Sequence, residues 1–288
     1  MARMLWQDAC RFDPSLASLD HFFSSPPDHA DILAGGLTNR CWKVTLTDQQ
    51  QFVWRPHSQV IQAFAISRYQ EHRVLTAIQS LGVGPKPYAI NTHGLLVEWV
   101  EGEACQVGVS FDAVLKLLIQ THQIPPNTIP VLPFNYAERV PHYWSQLGED
   151  VLSDNVRQLY QRWQSPPSIP AISPCLCHFD LAGYNMIKTS AGYRAIDWEY
   201  ASIADPRLDL MLSIAASEEK LLESVYRYCQ LRGIEQVDDW VEGVTAWQPR
   251  TALLAMLWYL LAYQLWGDEM YLDQAHHIEK TAFEPCDN

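Results

Sequence analysis

The residues best suited to chemistry are two aspartates and an asparagine in one stretch, 177–200. Asn185 follows Asp180 by five residues, and Asp197 follows after a short predicted hairpin. In phosphoryl transfer, one aspartate orients the attacking hydroxyl and accepts its proton, while an asparagine and a second aspartate bind the metal that bridges the nucleotide phosphates. Asp180, Asn185 and Asp197 match these roles in order, with Asn185 and Asp197 as the candidate metal ligands.

The motif that contains these residues is HxDxxxxN, from His178 to Asn185, followed by IDWE at 196–199. It resembles the aminoglycoside phosphotransferase and choline kinase family, which is related to protein kinases. Phe179 replaces the arginine of the protein-kinase HRD motif, and the DWE at 197–199 stands in place of DFG. The first motif alone is a weak signal, and the second at the right distance makes the pair specific. The resemblance covers residues 30–265 and implies a kinase that uses ATP and Mg²⁺ to phosphorylate a hydroxyl of a small molecule.

The resemblance also indicates where the nucleotide phosphates bind. The segment GGLTN at 35–39 resembles the glycine-rich phosphate loop of the family, in which backbone N–H groups approach phosphate oxygens. We expect four of its residues to contact ATP: Gly35, Gly36, Thr38 and Asn39. The segment lacks the GxGxxG pattern of protein kinases, and an ordinary hairpin turn is the alternative.

An arginine and a glutamate are expected to complete the nucleotide site. Arg55 ends the predicted strand FVWR, where protein kinases carry a lysine that holds the α- and β-phosphates. A guanidinium can grip phosphate oxygens with two hydrogen bonds, so the role survives the exchange. Glu71 is the only acid in the predicted helix 62–81, which makes it the candidate partner of Arg55. A surface arginine and a solvated glutamate are the alternatives.

Two further positions follow from the resemblance. The segment EWVEG at 98–102 corresponds to the hinge that binds adenine through backbone groups, which assigns Trp99 and Val100 to the nucleotide site. Asp209, in the segment ADPRLDL, corresponds to a residue that braces the catalytic loop by hydrogen bonding. We expect Asp209 to be structural.

The elements that must position these residues divide into two groups. Short apolar runs separated by turn-like residues predict strands at 31–34, 41–46, 51–54, 86–90 and 95–99, with a long helix at 62–81. After residue 101 the pattern is mostly helical, apart from a strand–loop–strand block at 175–198. The resemblance and this pattern predict an α+β, bilobal, protein-kinase-like fold. Residues 1–101 would form a small nucleotide-binding lobe with an antiparallel sheet and one long helix, and residues 102–288 a larger, mainly helical catalytic and substrate-binding lobe.

Composition restricts the classes of partner. The 288 residues include 33 acidic and 20 basic side chains, a formal net charge of −13. Such a surface repels the nucleic-acid backbone, so we expect no nucleic-acid partner. The charge suits a cationic substrate, although it also serves solubility alone. Oligomeric state is not indicated.

The expected location is the cytoplasm. The N-terminus lacks the apolar run of a secretory signal, and the most apolar later stretch, 252–266, falls short of the roughly 20 residues that a membrane-spanning helix needs. We therefore expect no membrane partner. The seven cysteines are irregularly spaced with no CxxC pair, which favours free thiols in a reducing compartment.

The acceptor is indicated only broadly. Quaternary ammonium groups bind over aromatic faces, and the C-terminal third is rich in aromatic residues. We expect Trp258, Trp266 and Glu199 to contact the acceptor beside Asp180, with core packing as the alternative for the tryptophans. Segments 52–57, 84–87 and 196–201 resemble bacterial thiamine kinases, so thiamine or choline is favoured over an aminoglycoside. A non-catalytic ATP-binding protein on a kinase fold stays open, although the intact catalytic triplet argues against it.

Overall fold

A six-stranded antiparallel sheet forms the N-terminal part of the computed structural model, which describes residues 3–33, 41–105 and 108–283. Its strands are β1 (Arg3–Leu5), β2 (Pro27–Ile32), β3 (Trp42–Leu46), β4 (Gln51–Pro56), β5 (Pro87–Asn91) and β6 (Gly94–Glu98). They lie in the order β1-β2-β3-β4-β6-β5, so the strand that carries Arg55 is central. Residues 34–40, and with them the predicted phosphate loop, lie outside the described ranges.

The sheet is covered on both faces, as the period-two alternation of its strands requires. Leu95 and Val97 pack into the core that includes α3 (Arg68–Ile78), whereas Leu96, between them, packs into a second core. The N-terminal segment, with α1 (Trp6–Phe12) and a 3₁₀ helix at Pro14–Leu19, covers that second face. Its polar groups satisfy two buried indoles, since Trp42 donates to Asp13 at 2.8 Å and Trp54 donates to Ser15 at 2.9 Å. Residues 3–30, uninformative as sequence, thus complete the small lobe.

The predicted helix over 62–81 is divided in two. Helix α2 (Gln59–Ala63) ends before Ala65, whose φ of 55° lies in the left-handed region and stops the helical path. Ser67 then caps α3, its side chain accepting from the Gln70 N–H at 3.3 Å. The apolar periodicity continued across the break, which is why the sequence indicated one helix. The division places Arg68 and Glu71 in the first turn of α3.

The C-terminal part is mainly helical. Its helices are α4 (Phe111–His122), α5 (Tyr136–Trp144), α6 (Asp154–Trp163), α7 (Pro206–Ala216), α8 (Leu221–Arg232), α9 (Val237–Trp266) and α10 (Glu269–Phe283). The 30-residue α9 is central and packs against α5, α6, α7, α8 and α10. This combination of an antiparallel sheet with a helical part confirms the predicted α+β, protein-kinase-like fold. The boundary at residue 101, which we retain as a proposal, falls between β6 and the next strand.

Five short strands position the catalytic segment. They are β7 (Glu103–Ala104), β8 (Cys175–Cys177), β9 (Met186–Thr189), β10 (Gly192–Ala195) and β11 (Ser202–Ala204). Strands β8 and β11 pair antiparallel, and β9 pairs with both β10 and β7. The catalytic loop therefore runs from β8 to β9, and the DWE segment runs from β10 to β11.

Two other predictions concern the whole chain. Within the described ranges, each helix is too short or too polar to cross a bilayer. The six described cysteines are free: Cys10, Cys41, Cys105, Cys175, Cys177 and Cys229. This agrees with the expectation of free thiols.

Replacing Gly94 by alanine should destabilise the small lobe, because a Cβ there would lie 2.6 Å from both the Arg55 carbonyl oxygen and a ring carbon of buried Trp54. Such overpacking costs about 1–3 kcal/mol of unfolding free energy, measured by chemical denaturation. Gly148→Ala is the matched control, because its Cβ would meet only the movable side chain of exposed Asp150 at 2.5 Å and Gln264 Oε1 at 3.4 Å. Equal stability of the two variants would contradict the packing described here.

Candidate active site

The catalytic loop is held by one buried carboxylate. Asp209, at the start of α7, accepts the backbone N–H groups of His178 at 2.8 Å and Phe179 at 2.7 Å. Phe179 has a φ of 68°, in the left-handed region that a non-glycine residue adopts only when its surroundings impose it. The two hydrogen bonds from consecutive residues impose it here and set the direction of the next side chain, Asp180. The structure thus places Asp209 in the bracing position predicted for it.

A histidine and two cysteines lie behind this brace. Each of the three residues, His122, Cys175 and Cys177, offers one potential metal-ligand atom, and these atoms lie within 4.8 Å of one another. That spacing could hold a metal ion. Both nitrogens of His122 are already engaged, however, by Asp209 at 3.0 Å and by the Tyr228 hydroxyl at 2.7 Å. Burial raises the pKa of the Cys177 thiol well above its usual value, which disfavours the thiolate that a metal needs. These residues are therefore best explained as packing around the brace.

Asp180 and Asn185 are joined directly. The Asn185 side-chain amide donates to the Asp180 backbone carbonyl and to its Oδ2, both at 2.9 Å. Tyr184, which the sequence did not single out, donates to the other carboxylate oxygen, Oδ1, at 2.5 Å. The pKa of Asp180 is raised to about 7, first by burial and then by the charges of Asp197 and Glu199, although the hydrogen bonds from Tyr184 and Asn185 lower it. A carboxyl group with a pKa near neutrality is suited to proton transfer.

Asp197 is tied to the same loop through the backbone. The Ile196 N–H donates to the Asn185 carbonyl at 2.9 Å, and the His178 ring bonds the Ile196 carbonyl at 3.0 Å through Nε2. Asp197 itself has a φ of 64°, so its side chain is turned by a strained backbone. The structure therefore brings Asp180, Asn185 and Asp197 together, although they come from two separate loops.

Asp197 belongs to a largely buried network of five charged side chains. Arg55 donates to Asp197 Oδ1 at 2.5 Å and to Glu199 Oε2 at 2.8 Å. Its Nε lies 3.1 Å from Glu71 Oε1, close enough for an ion pair but without the alignment of a hydrogen bond. The predicted pairing of Arg55 with Glu71 is present, and neither the surface arginine nor the solvated glutamate is found, since both side chains are buried.

Arg68 is the member of this network that sequence reasoning missed. It is completely buried and donates through Nη1 to Glu71 at 2.7 Å and to Glu199 at 2.9 Å. Its Nε and Nη2 have no hydrogen-bond partner. The available signal was the three-residue spacing from Arg68 to Glu71 on one helix, which commonly forms an ion pair.

The arginines separate the pKa values of the neighbouring acids. Burial is the largest influence on Asp197 and would raise its pKa, but Arg55 and Arg68 together hold the pKa below its ordinary value. For Glu199, burial and then the charge of Asp197 raise the pKa, despite the same two arginines. Of these two acids, Asp197 is the one whose ionised form the arginines favour more. Its oxygens and the amide oxygen of Asn185 are the hard ligands that Mg²⁺ prefers, so the two residues fit that ion chemically.

The segment between the two parts of the chain is fixed by a salt bridge. Glu98, at the end of β6, accepts from Arg194 of β10 at 2.7 and 3.2 Å, and from the Lys86 backbone N–H at 2.9 Å. Next along the chain, Trp99 lies under the Lys43 ammonium at 3.9 Å from the ring centroid, and Val100 is buried. Adenine binding at Trp99 and Val100 stays a prediction.

The two tryptophans assigned to the acceptor lie in an aromatic cluster around buried Phe64. Trp266 stacks on Phe64 with centroids 5.4 Å apart, and Trp258 contacts it at 5.0 Å. Trp258 also donates to the Tyr200 hydroxyl at 2.8 Å, next to Glu199 in sequence. Both tryptophans are half-buried, so the cluster packs α9 against α2, and a contact with the acceptor stays a prediction.

Comparison with known proteins identifies the family and the fold. Residues 29–252 match the family described as the phosphotransferase enzyme family, and the chain belongs to it. Thiamine kinase of Escherichia coli is 24% identical over 243 residues, which cover 82% of this chain and 84% of that protein. The crystal structure of choline kinase LicA from Streptococcus pneumoniae covers 95% of this chain and 98% of its own, with a TM-score of 0.70 and 19% identity. The crystal structure of LicA in complex with AMP covers 92% of this chain and 95% of its own, with a TM-score of 0.69 and 20% identity.

Arg68→Met should lower the free energy of unfolding by about 3–5 kcal/mol, because it leaves Glu71 and Glu199 sharing one arginine in a buried site. Adding Glu199→Gln should recover part of the loss, because it removes the unbalanced charge. Arg227→Met is the matched control, since its ion pair with Asp112 is solvent-accessible and contributes little to stability. Chemical denaturation measures all three. A loss in Arg68→Met no larger than in the control would refute the assigned burial of this charge.

Proposed function

We propose that the protein is an ATP- and Mg²⁺-dependent kinase that phosphorylates the hydroxyl of a small cationic metabolite, with thiamine or choline favoured. The observation that carries the proposal is the convergence of Asp180, Asn185 and Asp197 beside the buried Arg55–Glu71 pair. A proton-accepting group, oxygen ligands for a cation and a phosphate-binding arginine are the parts that phosphoryl transfer needs.

The residues of the chain would divide the reaction among them. Asp180 orients the acceptor alcohol and takes its proton as the alcohol oxygen bonds to the γ-phosphorus. The bond from that phosphorus to the β-phosphate oxygen breaks, and ADP leaves with the electron pair. Arg55, now held by carboxylates, would pair with nucleotide phosphates, while Glu71 keeps the guanidinium in place. When bound to Asn185 and Asp197, Mg²⁺ would neutralise phosphate charge.

Three features support a cationic acceptor. Tyr184 donates to Asp180 directly, so its ring lies beside the proposed base. Asp180 adds negative charge at the same place. An ammonium group gains from aromatic faces and from carboxylates together. The names of the thiamine kinase relative and of the choline kinase with this fold point to the same class of acceptor.

Asp180→Asn and Asp197→Asn should each lower kcat by about 10²- to 10⁴-fold without unfolding the protein, because each keeps the side-chain shape and removes the charge. Coupled ADP release and product mass measure the loss. Asp150→Asn, an exposed acid, is the control and should keep full activity. Normal turnover by either active-site variant would remove the role assigned to that residue.

A phosphorylation screen tests the acceptor. Thiamine, choline, ethanolamine and an aminoglycoside are each incubated with enzyme and Mg·ATP, and the product mass is determined. Choline is compared with 3,3-dimethylbutanol, its uncharged isostere, which should show a KM about 3- to 30-fold higher if aromatic faces bind the cation. Equal KM values for the two alcohols would argue against a cation site, and no product with any acceptor would favour a non-catalytic nucleotide-binding protein.

A further inference from the structure

Both carboxylate oxygens of Asp180 are occupied by side chains of the chain itself. Asn185 holds Oδ2 at 2.9 Å, and Tyr184 donates its hydroxyl to Oδ1 at 2.5 Å. An acceptor alcohol that Asp180 is to orient would bond one of these same oxygens and so compete with the side chain already there. Asn185 is 7% exposed and also bonds the Asp180 carbonyl, whereas Tyr184 is 48% exposed and its hydroxyl, within the described part of the chain, bonds Asp180 alone. Tyr184 is the partner that can leave.

The backbone beneath Tyr184 is fixed, so its hydroxyl can leave only by rotation of the side chain. Tyr184 lies in a one-turn 3₁₀ helix, Gly183–Asn185, closed by the Asn185 N–H on the Ala182 carbonyl at 3.0 Å. A Cβ at Gly183 would come within 2.7 Å of Val109 and 2.9 Å of the Cys105 carbonyl, so the turn is pressed against the chain at that point. A side chain that rotates on a fixed turn keeps its ring beside Asp180.

We propose that Tyr184 is the positioning residue that the acceptor alcohol displaces: its hydroxyl holds Asp180 Oδ1 until the acceptor binds, and its ring then forms one wall of the acceptor site. The proposal rests on the proposed function, because it assigns an acceptor to Asp180. It differs in assigning acceptor affinity and the exclusion of water to a residue at an unspecified position of the motif, between Asp180 and Asn185.

The same displacement explains how water would be kept from reacting. In the absence of an acceptor, a water molecule at Asp180 Oδ1 would occupy the place of the alcohol. Its oxygen would bond to the γ-phosphorus, the bond to the β-phosphate oxygen would break, and the proton would pass to Asp180, giving ADP and phosphate. The Tyr184 hydroxyl fills that place, so hydrolysis stays slow until an alcohol competes for it.

Tyr184→Phe tests the role of the hydroxyl separately from that of the ring, because it removes the hydroxyl and keeps the ring. We expect its KM for the acceptor to fall about two- to tenfold, because the acceptor no longer has to break the hydrogen bond from Tyr184 to Asp180. The KM for ATP should be unchanged. Acceptor-independent hydrolysis of Mg·ATP should rise by a similar factor. Tyr184→Ala frees Asp180 equally but lacks the ring, so its acceptor KM should exceed that of Tyr184→Phe by about two- to tenfold, while its hydrolysis also rises.

Tyr226→Phe, an exposed tyrosine on α8, is the matched control and should leave all three constants unchanged. The proposal is overturned if Tyr184→Phe shows no rise in hydrolysis, whatever the wild-type rate, or if its acceptor KM is unchanged or higher. A purely structural role would lower activity in both variants and raise hydrolysis in neither. The hydrolysis assay needs no acceptor, so it gives a result for Tyr184 even if the screen finds no substrate and the proposed function fails.

Discussion

The buried ion pairs between two arginines and three carboxylates are the interaction on which the site depends. Arg55 comes from the central strand of the sheet, Arg68 and Glu71 from the helix behind it, and Asp197 and Glu199 from the loop after β10. Charges removed from water are stable only when paired, so each group restricts the position of the others. The network thereby links the six-stranded sheet to the catalytic segment more specifically than apolar packing could.

The network is also unbalanced, and the imbalance suits a nucleotide site. Three carboxylates face two guanidinium groups, so one negative charge is left over if all are ionised. The excess negative charge disfavours the ionised form of Glu199, whose pKa is raised, rather than that of Asp197, whose pKa is lowered. A cation beside Asp197 would relieve this excess, and Arg68 would still neutralise Glu71 and Glu199 when Arg55 turned to a phosphate.

A second constraint acts on the backbone of the catalytic loop. Asp209 receives two consecutive backbone N–H groups, and its own position is set by His122 and by the first turn of α7. The strained backbone at Phe179 and Asp197 is thus maintained by hydrogen bonds from outside the loop. Rigid support of this kind would hold the proposed proton acceptor and the proposed metal ligands in position before a substrate binds.

Much of the site was predictable from local pattern. Asp180, Asn185 and Asp197 lie in two short motifs whose spacing reflects one reaction, and alternating apolar residues identified β3, β4 and β6. The brace at Asp209 and the Arg55–Glu71 pair followed from resemblance to a known family. The break between α2 and α3 was missed, because the positive φ of Ala65 leaves no mark on apolar periodicity.

Roles that depend on distant contacts could not be found in this way. Arg68 is an ordinary residue of an amphipathic helix until the fold buries it against Glu199, which lies 131 positions away. Tyr184 is an unremarked loop tyrosine until the turn at Gly183 directs its hydroxyl to Asp180. Trp258 and Trp266 were assigned to a cation site from composition, and only the fold shows that both also pack around Phe64. Chemistry and spacing are local properties of a chain, whereas burial, charge partners and the free side of a carboxylate exist only once remote segments are packed together.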